Sequence, residues 1–138
     1  MVGLVVATHG ELAEVLLRTA EGIVGPVAQA SAVSVDAQTS VEDARARLAT
    51  AIHKVGGDGE GVLVLTDMFG GTPANLALTF LEEQIEVVTG VNLPMLLKLA
   101  TTRGAGLAAA AELATSQGQK NIQLASGLLR ARAQPPRR

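Results

Sequence analysis

A chain of 138 residues has the usual size of one domain and is long enough to bury a self-standing core. Its formal net charge of −2 offers nucleic acid no global basic field, and Phe69 and Phe80, its only Phe, Tyr or Trp residues, are too few to form a base-stacking platform. The lack of cysteine excludes disulfides, thiolate catalysis and thiolate metal sites.

Val2–Thr8 is a short valine-rich run that suits a buried strand, and His9-Gly10 ends it. Leu12, Val15, Leu16, Thr19, Ala20 and Ile23 then keep the i, i+3, i+4 rhythm of one helical face, stopped by Gly25-Pro26. Ala30–Val35 is a second strand. Ser40 opens the next helix with Asp43 three residues on, in a capping-box arrangement, and Val41, Ala44, Leu48, Ala51 and Val55 form its buried stripe. After a Gly-rich loop at 56–59, Gly61–Thr66 is the clearest strand in the chain and runs into Asp67-Met68-Phe69-Gly70-Gly71-Thr72. Thr72 is expected to cap a helix that has Pro73 in its first turn, where the missing N–H costs nothing. Ile85–Thr89 is a fourth strand, ended by Gly90-Val91-Asn92, and a short helix starts near Pro94. An Ala-rich helix is expected from Gly106 to Ser116, then a short fifth strand at Ile122–Ala125.

Strand and helix alternate four times, which predicts an α/β fold with helices on both faces of an open, mostly parallel sheet. The expected strand order is 2-1-3-4, with the fifth strand added antiparallel at the C-terminal end. One domain is expected over residues 1–129, followed by a basic, loose tail over 130–138. No run approaches the roughly 20 apolar residues of a membrane span and nothing near the start reads as a signal peptide, so a cytoplasmic protein is expected.

In open α/β sheets ligands bind beyond the carboxyl ends of the strands. His9 follows the first strand and Asp67 the third, and in a 2-1-3-4 order those strands are neighbours. A carboxylate beside a histidine can accept the Nδ1–H, fix the tautomer and leave Nε2 as nucleophile. Gly70, Gly71 and Thr72 supply an anion site, with close backbone approach and a hydroxyl donor. Thr8, Gly10 and Asn92 sit at the same strand ends and are expected to line the site. His53 lies near the end of the second helix, away from the strand ends. Two histidines and no cysteine give no ligand set for a metal.

Three segments carry a family likeness: VVATHGELAEVLL (Val5–Leu17), VLTDMFGGTPANLA (Val64–Ala77) and VVTGVNLPMLLKL (Val87–Leu99). Together they resemble the mannose-family enzyme IIA domain of the bacterial phosphoenolpyruvate-dependent sugar phosphotransferase system. The resemblance implies that His9 is phosphorylated on Nε2, that Asp67 holds the other ring nitrogen, and that Gly71 and Thr72 line the phosphoryl pocket. It implies the phosphocarrier HPr as donor, an enzyme IIB as acceptor and no cofactor. It further implies a homodimer in which a C-terminal strand, here Ile122–Ala125, is exchanged. Many such domains continue through an Ala/Pro-rich linker into a IIB domain; this chain stops at Arg138, and Ala74 replaces a bulkier residue. A stand-alone regulatory protein, whose His9 phosphorylation reports nutrient status, is therefore the alternative to a sugar-transport phosphocarrier. Thr8-His9-Gly10-Glu11 also resembles the start of histidine phosphatases, but the arginine those sites need before the histidine is Thr8 here.

Overall fold

The computed structural model describes residues 1–133. Four strands, β1 (Gly3–His9), β2 (Ala30–Val35), β3 (Val62–Thr66) and β4 (Ile85–Thr89), form one sheet in the order β2-β1-β3-β4. Every pairing is parallel. The register sets His9 opposite Val35, Ala7 opposite Thr66, and Thr66 opposite Thr89, so the carboxyl ends of the strands open on one edge.

The helices α1 (Leu12–Val24), α2 (Val41–Val55), α3 (Thr72–Leu78), α4 (Leu93–Thr101) and α5 (Leu107–Lys120) cover both faces. Side chains alternate along a strand, and the core divides accordingly. Val5, Ala7 and Val64 pack with Leu48, Val55 and Leu76 on one face; Leu4, Val6, Leu63 and Leu65 pack with Ala13, Leu96 and Leu99 on the other. The central strands therefore bury both faces, which is why they read as unbroken apolar runs.

Local signals set the helix starts. The Ser40 hydroxyl accepts the Asp43 N–H at 3.0 Å, the first half of the expected capping box. Thr72 does not cap α3: Gly71, with extended backbone, holds the N-cap position and Thr72 is the first helical residue. Pro73 sits in the first turn as expected. At the opposite end of the sheet, the buried Arg103 donates to the carbonyl oxygens of Val2 at 2.8 Å and Ala28 at 2.6 Å. It thereby ties together the segments that lead into β1 and β2.

The C-terminal segment departs from expectation. α5 runs past Ser116 to Lys120, and Ile122–Ala125 is not a fifth strand. Instead Ala125–Ala133 forms a helix, α6, whose first turn is closed by the Leu128 N–H on the Leu124 carbonyl at 3.0 Å. Ala, Leu and Arg, which dominate that stretch, favour helix over strand. The first residues of the expected loose tail, Arg130–Ala133, are thus helical, and 134–138 lie outside the described residues.

Candidate functional site

Because β1 and β3 are adjacent and in register, His9 and Asp67 meet although 58 residues separate them. His9 Nδ1 lies 2.8 Å from Asp67 Oδ2, and the His9 backbone N–H donates to the same oxygen at 3.1 Å. The Met68 N–H donates to Oδ1 at 3.1 Å. Burial pushes the Asp67 carboxyl up, but the hydrogen bonds from the His9 ring and backbone, with the attraction of the ring, outweigh it and hold the group below its ordinary value. An ionised carboxylate only accepts, so Nδ1 carries the proton and Nε2 the lone pair. The Asp67 side chain is 15% exposed and that of His9 48%, so the carboxylate lies behind a ring that is open to solvent.

The turn after Asp67 is shaped for that ring. Gly70 has φ +92°, a conformation that favours glycine. Gly71 has an ordinary φ, and its requirement is space: a Cβ there would lie 2.4 Å from His9 Cε1 and 3.0 Å from Nε2. The backbone of the turn thus closes directly on the Cε1–Nε2 edge of the imidazole.

His9, Gly10 and Thr72 border one open cleft of about 540 Å³, together with Val35, Asp36, Ala37, Thr39 and Val41. Gly10 continues the strand pairing through its N–H to the Val35 carbonyl at 2.9 Å. Thr8 is fully buried behind the site; its hydroxyl oxygen accepts the Ala13 N–H at 2.6 Å and so anchors the start of α1. Asn92 stands apart. It is the N-cap of α4, accepting from the Met95 N–H at 3.1 Å, and its amide donates to the Gly118 carbonyl at 3.1 Å. It borders a separate cavity of about 120 Å³ with Met95 and Gly118. His53 is exposed in the last turn of α2 and borders another cavity, with Glu82. Among the described residues no three His, Cys, Asp or Glu side chains gather closely enough to hold a metal.

Asp36 and Thr39 border the cleft and were absent from the sequence-based site. The signal was available: Asp36 directly follows β2, whose carboxyl end is level with that of β1. Its Oδ1 accepts the Gln38 N–H at 2.8 Å and the Thr39 hydroxyl at 3.0 Å.

Comparison with known proteins places the chain in a family. The family model EIIA-man, described as the fructose IIA component of the PTS system, matches residues 3–117. The chain is 35% identical over 108 residues to the mannose-specific EIIAB component of the PTS system of Escherichia coli K12, covering 74% of this chain and 32% of that protein. It therefore spans about a third of the length of those relatives. It is 30% identical over 105 residues to the fructose-specific EIIA component of Bacillus subtilis, covering 75% of this chain and 71% of that protein. Among solved structures, a mannose/sorbose specific IIA subunit from Enterococcus faecalis superposes with a TM-score of 0.80 at 29% identity, covering 99% of this chain and 98% of that one. A PTS IIA protein associated with the fucose utilization operon of Streptococcus pneumoniae gives 0.81 at 26% identity, over 92% and 95% of the two chains.

Proposed function

The chain belongs to the EIIA-man family of phosphotransferase-system IIA components, and on that premise we propose that it carries a phosphoryl group on His9 Nε2, taken from HPr and passed to an enzyme IIB of a sugar phosphotransferase system. The observation that carries the proposal is the 2.8 Å contact between His9 Nδ1 and the Asp67 carboxylate. Nε2 attacks phosphorus as the P–N bond to the donor imidazole breaks. The ring gains positive charge, which Asp67 stabilises through the retained Nδ1–H. Thr72 borders the same cleft as His9, and its hydroxyl is a donor for the phosphoryl oxygens. Such a transfer needs positioning and charge stabilisation, with little further covalent chemistry from the protein. The same steps in reverse pass the group to the acceptor.

The working form is a homodimer in the cytoplasm. Supporting a dimer, α6 has no buried residue, and Ile122, Leu124 and Leu129 are 79%, 75% and 64% exposed, an apolar surface that a second copy can cover. No helix among the described residues is long and apolar enough to cross a membrane.

Incubation with phosphoenolpyruvate, enzyme I and HPr, followed by intact mass, tests the carrier reading. The expected result is a gain of one phosphoryl group, acid-labile and base-stable. It disappears in His9→Ala and remains in His53→Ala. Phosphoryl gain retained in His9→Ala would overturn it.

A further inference from the structure

The two edges of the sheet differ. β4 carries Glu86, whereas β2, with the sequence ASAVSV, holds no charge and no proline. Edge strands are ordinarily blunted by such residues, because their unpaired backbone invites another strand. The bonds at the two ends of β2 set which of its groups face outward. The Leu4 N–H donates to the Gln29 carbonyl and the Gly10 N–H to the Val35 carbonyl, each at 2.9 Å. Backbone groups alternate sides along a strand, so Ser31, Val33 and Val35 turn theirs to β1, while Ala30, Ala32 and Ser34 turn theirs outward. Arg47 marks the same side, its Nη1 donating to the Ser34 carbonyl at 3.3 Å. The N–H groups of Ala30, Ala32 and Ser34 have no partner among the described residues.

An open groove of about 460 Å³ lies along this edge, between α1 and α2. Ser34 borders it, and its hydroxyl oxygen is shielded from solvent and has no hydrogen-bond partner among the described residues. The α2 bank is basic. Arg47 and Lys54 line it, both exposed, and neither forms a salt bridge among the described residues. They stand two helical turns apart, about 10 Å along the axis. Glu14, on α1, is the one acid in the lining.

These charges decide between occupants. A two-fold axis that paired two β2 edges antiparallel would stand perpendicular to the sheet and set α2 beside α2. Arg47 and Lys54 of one copy would then meet those of the other, a like-charge contact that suppresses pairing. We propose that the β2 edge docks an extended segment of another protein by strand addition, with acidic side chains of that segment set against Arg47 and Lys54. The backbone of the segment pairs with the outward groups of Ala30, Ala32 and Ser34, which gives affinity, and its acids at alternate positions give selectivity. The groove shares no lining residue with the His9 cleft, so this docking stands whether or not His9 carries a phosphoryl group.

The probe is a heptapeptide that alternates glutamate and valine, blocked at both ends; its control alternates lysine and valine. Amide exchange is read by NMR on the full chain. At about ten times its Kd the acidic peptide is expected to slow exchange at Ala30, Ala32 and Ser34 by about tenfold. Ser31 and Val33, already bonded to β1, stay unchanged, and the basic peptide has no effect. Arg47→Glu combined with Lys54→Glu exchanges the two responses. Ala32→Pro deletes an outward N–H, spares the ladder to β1 and abolishes the protection, with circular dichroism checking the fold. If Ala32→Pro does not fold, the charge-reversed protein carries the test. No slowing at about 1 mM acidic peptide, where even a millimolar complex is half formed, overturns the proposal. So does an equal response to the two peptides, or full protection by the acidic peptide in the charge-reversed protein. Protection of the same amides in wild type alone at raised concentration, with a larger species in sedimentation, would make a second copy the occupant and overturn it as well.

Discussion

Arg103 at the amino end of the sheet and His9 at the carboxyl end are both fixed by long-range hydrogen bonds, with opposite consequences. Arg103 is 5% exposed and spends its guanidinium on backbone carbonyls. Burial pulls its pKa down, the direction expected when a charge is taken out of water. The His9 ring is tied through Nδ1, and about half its side chain faces solvent. One end holds strands together with a hidden cation; the other leaves an imidazole open to solvent. The comparison separates residues that should govern stability from those that should govern transfer.

Gly71→Ala should produce a large loss at the carboxyl end. The new Cβ forces the His9 ring off Asp67 or into the cleft, and a displacement on the order of 1 Å can cost about 10²-fold in rate. Transfer kinetics with an unchanged circular dichroism spectrum would confirm it. At the amino end, Arg103→Met keeps an apolar stem and leaves the Val2 and Ala28 carbonyls unpaired. It should destabilise the fold by about 2–4 kcal/mol in urea titration, while phosphoryl uptake by the folded protein stays near wild type. If uptake fell as well, the two ends would not be separable.

The smallest expected effect is in pH dependence. The folded-state pKa of Asp67 lies below its ordinary value, so its stabilisation is complete above about pH 4 and lost as pH falls through the depressed value. Wild type should exceed Asp67→Asn by about 1 kcal/mol at neutral pH, and the two should converge in acid. A constant gap down to the lowest pH at which both fold would place that stabilisation elsewhere.

Legibility in the sequence divides along similar lines. β1 and β3 read correctly because parallel strands buried on both faces leave apolar runs, Val2–Thr8 and Gly61–Thr66, that few other structures produce. His9 and Asp67 could be paired because topology places the ends of adjacent strands together. Arg103 could not be read: its carbonyl partners are 101 and 75 residues away and any sequence supplies carbonyls. Ile122–Ala125 misled because four residues cannot distinguish a strand from the approach to a helix. Asn92 sits at a strand end like His9, yet its side chain turns to the Met95 N–H, and a helix cap competes with a site for the same residue type.

Rapid-quench transfer from phosphorylated HPr to Asp67→Asn addresses the His9–Asp67 pair most directly. The amide can donate to Nδ1 where the carboxylate accepts, which moves the ring proton to Nε2 and blocks the nucleophile. The rate should fall by roughly 10²–10⁴-fold with the fold intact by circular dichroism. A rate within about threefold of wild type, well short of that range, would mean that Asp67 serves only the turn and that its 2.8 Å contact with His9 does not drive transfer.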